Sequence, residues 1–304
     1  MTTATPVTTT PPPTAGKQSA AQIAKKRLSS PWASLAAIIL AILWTLPTFG
    51  LLVSSFRPER AIKTTGWWTF FSNPTLTLDN YRGVFGEDGG VNLAAFFVNS
   101  LIICIPSVLI PMSLAALAAY SFAWINFPGR NVLFLVVFAL QIVPLQVTLI
   151  PLLEIFVNVN LSGTFWTLWL SHSTFALPLA IYLLHNFMRE VPASLIEAAR
   201  VDGAGHVAIF FKVMLPLLTP ALAAFGIFQF LWVWNDLLVA LVFAGGGDEV
   251  APITLQLANL SGTRGTAWQL LSAGAFVSII VPVTVFLLLQ RYFVRGLMSG
   301  SVKG

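Results

Sequence analysis

The sequence predicts an all-α polytopic membrane protein with six transmembrane helices, and three observations carry that prediction. Of 304 residues only 27 are charged, 16 basic and 11 acidic, or 9% of the chain; an ordinary soluble domain carries about 25%. Hydrophobic residues make up 57%, and the mean hydropathy is +0.83. The few charges also sit far apart. No Asp, Glu, Lys or Arg lies between Arg27 and Arg57, Asp88 and Arg130, Arg130 and Glu154, Glu154 and Arg189, or Arg264 and Arg291, and only Asp236 lies between Lys212 and Asp248. Each gap is near or above the length of about 20 residues that crosses a bilayer. This composition argues against a soluble enzyme, a disordered chain and a nucleic-acid-binding domain. The single cysteine, Cys104, excludes an intrachain disulfide and a multi-cysteine zinc site.

The elements follow in order. Residues 1–30 begin as a Thr/Pro-rich tract that cannot build a core and is expected to be disordered and cytoplasmic. Lys25-Lys26-Arg27 before an apolar run has the look of a secretory signal. The run is too long for one and no A-x-A-type site follows near Ser54–Arg57, so residues 31–54 read as a retained first helix. An extracytoplasmic loop covers 55–95. Residues 96–293 hold five further spans, at 96–124, 132–154, 166–188, 219–243 and 270–293. They also hold a cytoplasmic loop at 189–216 and an extracytoplasmic loop at 244–269; a cytoplasmic tail covers 294–304. With the N-terminus inside, 11 of the 16 Lys and Arg fall in inner segments and 5 in outer ones, as the positive-inside rule asks. Trp32, Trp124, Trp166 and Trp268 then sit near span ends, where indole rings suit the headgroup region.

The loop at 189–216 has its own local grammar. Pro192 suits a first helical turn, Leu195–Asp202 forms helix, and Gly203 supplies a left-handed C′ position. His206–Leu215 forms a second short helix that Pro216 ends or kinks. Leu195, Ile196 and Ala199 share a face, so the elbow offers an apolar patch. A connector resting on lipid would read the same way.

Polar side chains inside spans are costly and face the bundle interior by default. Gly226, Gln229 and Asp236 share a face of the fifth span, Gln141, Pro144 and Thr148 a face of the third, and the fourth carries Ser171, His172 and His185. A charged Asp236 at a helix centre costs about 2.5–3.5 kcal/mol on the insertion scale. Asn99, Gln141, Ser171, His172, Gln229, Asn235 and Asp236 are the candidate solute pathway. Interhelical hydrogen bonds that fix packing are the competing account of the same residues. The three histidines, His172, His185 and His206, lack metal-ligand spacing.

Several of these features together resemble one family. Glu197-Ala198-Ala199, Asp202-Gly203-Ala204 and the distal Leu215-Pro216 are similar to the EAA loop of importer-type ATP-binding-cassette permeases, with Val213 where that family usually has Ile. Four further stretches resemble the shorter, six-span permease of maltose-transporter-like carbohydrate importers. They are Asn99-Ser100-Leu101, Phe127-Pro128-Gly129, Trp234-Asn235-Asp236 and the ending from Gln290 to Gly304.

The resemblance implies that Glu197, Ala198, Ala199, Asp202, Gly203, Val213, Leu215 and Pro216 form a coupling loop docking on a separate ATPase. It implies that Leu255, Gln256, Leu257, Asn259, Ser261 and Gly262 reach a solute-binding protein. The implied partners are a second permease chain in a heterodimer, two ATPase subunits, an extracytoplasmic solute-binding protein, a sugar and membrane lipid, in a prokaryotic cytoplasmic membrane; no nucleic acid is implied. No GxxxxGK[ST] loop occurs. The chain is therefore expected to be non-catalytic and to bind no cofactor itself, with ATP and Mg held by the partner ATPase. A permease for a non-sugar solute, an ion-coupled secondary transporter and a membrane enzyme are the alternatives. The last two lack multiple intramembrane acids or a His/carboxylate cluster.

Overall fold

The computed structural model describes residues 31–86, 91–261 and 267–299, and among them the only β pairing is an isolated bridge between Phe85 and Asn92. The chain divides into two compact units between Leu51 and Leu52. The first unit holds most of helix α1, Pro31–Ser55. Its 25 residues extend about 37 Å, enough for a hydrocarbon layer of about 30 Å. Leu35, Ile38, Ile39, Ile42 and Leu43 are exposed, as lipid-facing side chains are. The Thr45 hydroxyl donates to the Ala41 carbonyl at 2.7 Å, so it brings no unpaired donor into the apolar layer.

The second unit begins with short elements: α2 (Glu59–Thr64), a 3-10 turn (Trp67–Phe71) and α3 (Asp79–Val84). Asn80 Nδ2 donates to the carbonyls of Ser55 and Arg57 at 2.9 and 2.8 Å, satisfying acceptors left open where α1 ends. Buried Arg57 donates through Nη2 to the hydroxyls of Thr65 and Thr69 and to the Ala61 carbonyl.

Helix α4 (Leu93–Trp124) is the spine of the unit, 32 residues and about 48 Å long. The third expected span, 132–154, is not one straight helix. Helix α5 (Arg130–Ala139) tightens into a 3-10 turn (Leu140–Ile142), and α6 (Leu145–Asn158) leaves at 103°. Pro144 is the cause. It has no N–H for the ladder and pushes Val143 to φ −70°, ψ 120°, outside the helical region. Helix α7 (Phe165–Glu190) starts with a capping box between Thr164 and Thr167.

The next stretch is α8 (Ala193–Val201), α9 (His206–Ile209), a π-helical turn (Phe210–Met214) and α10 (Leu215–Trp234). Of the two outcomes expected at Pro216, an end or a kink, the structure shows no end: His206–Trp234 runs as one candidate span. The widened turn immediately upstream makes room for a proline ring that would otherwise meet the Lys212 carbonyl. The fifth span is also displaced from 219–243. Its helix stops at Trp234, and a separate α11 (Leu238–Phe243) follows a break at 235–237. Helix α12 (Ile253–Ser261) and the long α13 (Trp268–Ser299) complete the chain. Among the described residues five helices are long and apolar enough to cross a membrane, and the bent α5–α6 pair makes a sixth if it counts as one crossing.

Two cores hold the second unit together. One, around Trp234, Phe243, Leu93 and Ile253, lies where α4 begins; the other lies where it ends. In the latter, Ala115, Ala116, Ala119 and Ala123 of α4 join Ala176 and Ala180 of α7. Small residues let membrane helices approach closely, so dispersion contacts hold the pair where no water-driven term operates.

Candidate coupling surface and solute pathway

The elbow after α7 is built by its C-cap. The N–H of Gly203 donates to the Arg200 carbonyl at 2.9 Å, and that of Ala204 to the Ala199 carbonyl at 2.9 Å. This is a Schellman closure, which needs a left-handed residue, and Gly203 has φ +79°. A Cβ at Gly203 would meet nothing within 4 Å, so the glycine answers the backbone angle, not crowding.

The apolar face does not divide as expected. Ile196 is buried and Ala199 packs against the core around it, and both point inward. Leu195, Glu197, Ala198 and Asp202 are exposed, and so are Val201 at 87% and Val207 at 73%. The outward apolar surface is therefore Leu195, Ala198, Val201 and Val207. The expected face of Leu195, Ile196 and Ala199 left out Val201, on the outward side of α8, and Val207, which stands on a new helix axis beyond the turn at Gly203. Val213 and Leu215 pack against the core and Pro216 is exposed. His206, expected at the surface, is exposed and bonds Tyr120 Oη through Nδ1 at 3.1 Å, pinning the elbow to the end of α4.

The polar residues of the spans fall into two groups. Gln141 and Gln229 lie on the wall of a 670 Å³ cavity at the α5–α6 bend, with Thr148, Thr174 and Trp232 beside them. Gln229 Nε2 also donates to the Ser107 carbonyl of α4 at 3.2 Å.

The second group is packed. Ser171 Oγ donates to the Thr167 carbonyl at 2.6 Å. His172 Nδ1 lies 2.8 Å from the Leu168 carbonyl. A carbonyl only accepts, so that nitrogen carries the proton and Nε2 is left facing Asp236 Oδ2 at 3.5 Å.

Asp236 is not at a helix centre. It precedes α11 and accepts the N–H groups of Val239 and Ala240 at 3.3 and 3.1 Å, acting as an N-terminal cap. Its backbone carbonyl accepts the Thr254 hydroxyl at 2.6 Å. The free space beside Asp236 and His172 is about 10 Å³, less than a solute needs. Asn235 is exposed and bonds back to the Leu231 carbonyl at 2.7 Å.

Asn99 belongs to neither group. Its Nδ2 donates to the carbonyls of Asp248, Glu249 and Ala251 at 3.3, 3.0 and 3.1 Å, and neighbouring Ser100 Oγ accepts the Ile253 N–H at 2.8 Å. Together they clamp the segment that leads into α12. Within α12, Leu255 is buried and Leu257 packs against the same core, whereas Asn259 is exposed and Gln256 and Ser261 are half-buried. Gly262 lies outside the described residues.

Comparison with known proteins adds to this geometry. The model of the family described as "Binding-protein-dependent transport system inner membrane component" matches residues 112–299. The osmoprotective compounds uptake permease protein GgtD of Synechocystis sp. is 53% identical over 88% of this chain and 91% of its own length. The alpha-glucoside transport system permease protein AglG of Rhizobium meliloti is 39% identical over 90% of this chain and 97% of its own. Among solved structures, a bacterial ABC transporter involved in import of the acidic polysaccharide alginate has a chain with a TM-score of 0.69 and 20% identity. It covers 88% of this chain and 98% of that one, a likeness of fold.

Proposed function

Because the chain belongs to the family of binding-protein-dependent transport system inner membrane components, we propose that it is a permease subunit of an ATP-driven sugar importer. A di- or oligosaccharide is the class of solute proposed, supported by the alpha-glucoside permease among its relatives. In this reading the chain sits in a prokaryotic cytoplasmic membrane with both termini inside. It pairs with a second permease chain, two ATPase subunits and an extracytoplasmic solute-binding protein, and ATP and Mg stay on the ATPases.

The observation that carries the proposal is the α8 elbow. It presents Leu195, Ala198, Val201 and Val207 to the outside between Glu197 and Asp202. Its inner face and its glycine closure hold that surface rigidly against the bundle. An exposed apolar surface ringed by charge marks a protein contact, and a rigid one transmits motion. ATPase closure would push on α8, and the pinned Tyr120–His206 junction would pass the movement to α4.

The cavity at the α5–α6 bend is the proposed solute passage. Gln141, Thr148, Thr174 and Gln229 place hydroxyl-matching groups in an otherwise apolar wall. Such groups need a covering partner in hydrocarbon, and the second permease chain would supply it.

Gly203→Asp tests the coupling assignment. Aspartate tolerates left-handed backbone better than most residues, so the chain should insert normally. Uptake should fall to background, and the ATPase should no longer co-purify. Normal uptake at normal expression would refute the assignment. A second reading, a non-sugar osmoprotective solute, is favoured by the 53% relative. The solute carried by the co-purifying binding protein decides between the two.

A further inference from the structure

A separate cavity lies beside the α5 N-terminus, at the end of the bundle that carries α8. It measures 330 Å³ and is lined by Phe122, Arg130, Asn131, Phe134, His185 and Arg189. Two guanidinium groups, an amide and an imidazole thus share its wall with two phenyl rings. No acid lines it, and among the described residues neither arginine has a carboxylate within ion-pairing distance. Arg130 is held in place through Nη1, which donates to Asn126 Oδ1 at 3.0 Å and to the Ile125 carbonyl at 3.3 Å. Its Nε and Nη2 remain available as donors. The His185 ring packs against Phe134, tilted by 40° with ring centroids 4.3 Å apart, and its buried Nδ1 has no protein partner.

The backbone adds to the same field. Helix α5 starts from Gly129 at φ +78° with no side-chain cap; its Arg130 N–H donates to the Phe127 carbonyl at 3.3 Å, and no side-chain acceptor offsets the positive end of its dipole. A second hollow of 340 Å³ lines that terminus and shares Arg130 and Asn131 with the first. Immediately along α5, Val132, Leu135 and Val136 are each more than half exposed. A site for a negative group therefore adjoins a surface suited to acyl chains.

We propose that this cluster binds the headgroup phosphate of an anionic phospholipid, with the acyl chains along Val132, Leu135 and Val136. The assignment to the cytoplasmic leaflet rests on the orientation proposed above; that leaflet carries the anionic lipids. The site anchors the start of the bent α5–α6 pair to the bilayer, on a helix whose other end forms the cavity at the bend.

The test uses the assembled transporter in nanodiscs of phosphatidylcholine with a minor fraction of phosphatidylglycerol. Lipid retained through detergent extraction is counted by native mass spectrometry. The wild type should retain phosphatidylglycerol selectively. At about fivefold per arginine, R130Q/R189Q should lose about twenty-fivefold of that preference. R130K/R189K keeps both charges and should lose only a fewfold, showing that the loss is not misfolding. Equal retention of the two lipids by the wild type, or unchanged preference in R130Q/R189Q, would overturn the proposal. Displacement by millimolar inorganic phosphate would assign the site to the free anion and also overturn it. So would loss of the lipid on ATPase assembly, because an acidic protein surface would then be the occupant. Lipid retention is read without transport, so its failure leaves the permease assignment untouched, and failure of the Gly203→Asp test leaves the lipid site untouched.

Discussion

Asp236→Ala and Asp236→Asn separate the two accounts of the one acid that stood deep in an expected span. The carboxylate accepts the N–H groups of Val239 and Ala240 and faces His172 Nε2. Both capped residues are buried, so alanine leaves two buried donors without partners. At about 1–3 kcal/mol for each, the cost is about 2–6 kcal/mol. Asparagine keeps one acceptor oxygen for one of those N–H groups and can turn its amide toward Nε2, which limits its cost to about 1–3 kcal/mol. Thermal stability of the detergent-solubilised transporter, followed by fluorescence-detected size exclusion, should fall on the order of 10 °C for alanine and clearly less for asparagine. The relative uptake of two sugars should be the same in both variants and the wild type. Unchanged stability in Asp236→Ala would sink the capping argument. A changed sugar preference at normal stability would return Asp236 to the solute pathway.

Other consequences are open to similar checks. Asn99→Ala should cost about 1–3 kcal/mol by releasing the carbonyls of residues 248, 249 and 251. Asn99→Asp should be worse, because a carboxylate there meets three acceptors; limited proteolysis at 248–252 reads both, and equal protection of the aspartate variant would contradict the clamp. Gly245→Ala and Gly246→Ala form a matched pair. Both glycines have positive φ, but a Cβ at Gly245 would sit 2.8 Å from the Gly163 Cα, whereas one at Gly246 meets nothing. Gly246→Ala should cost only the left-handed penalty of about 1–2 kcal/mol. Gly245→Ala should lower thermal stability further, and parity between the two would show that the 244–246 turn does not need its close approach to Gly163.

Much of the site was legible in the chain. The glycine at 203 announces a helix end because only a residue free of Cβ strain adopts that angle cheaply, and the Schellman closure is where the sequence places it. The break at Pro144 was legible in principle, since the residue before a proline avoids the helical region. The high mean hydropathy of 132–154 concealed it, because hydropathy reports what solvates a segment and not its axis. The extent of the fifth span was concealed for a related reason. Trp234-Asn235-Asp236 sits inside an apolar run, and nothing in that run states that the helix stops there and starts again at Leu238.

By itself the sequence determined that the chain is helical and membrane-spanning, and where its elbow turns. Those follow from the transfer of apolar side chains out of water and from backbone sterics, both local properties. Tertiary structure alone decided which polar residues share a space. Asn99 meets residues 248–251 across about 150 positions of chain, and His172 meets Asp236. Gln141 and Gln229 line one cavity at the bend between α5 and α6. Arg130 and Arg189 belong to different helices, and only packing brings both to the same cavity. Each of these pairings depends on where helix axes cross, and the order of residues along a single helix carries no record of it.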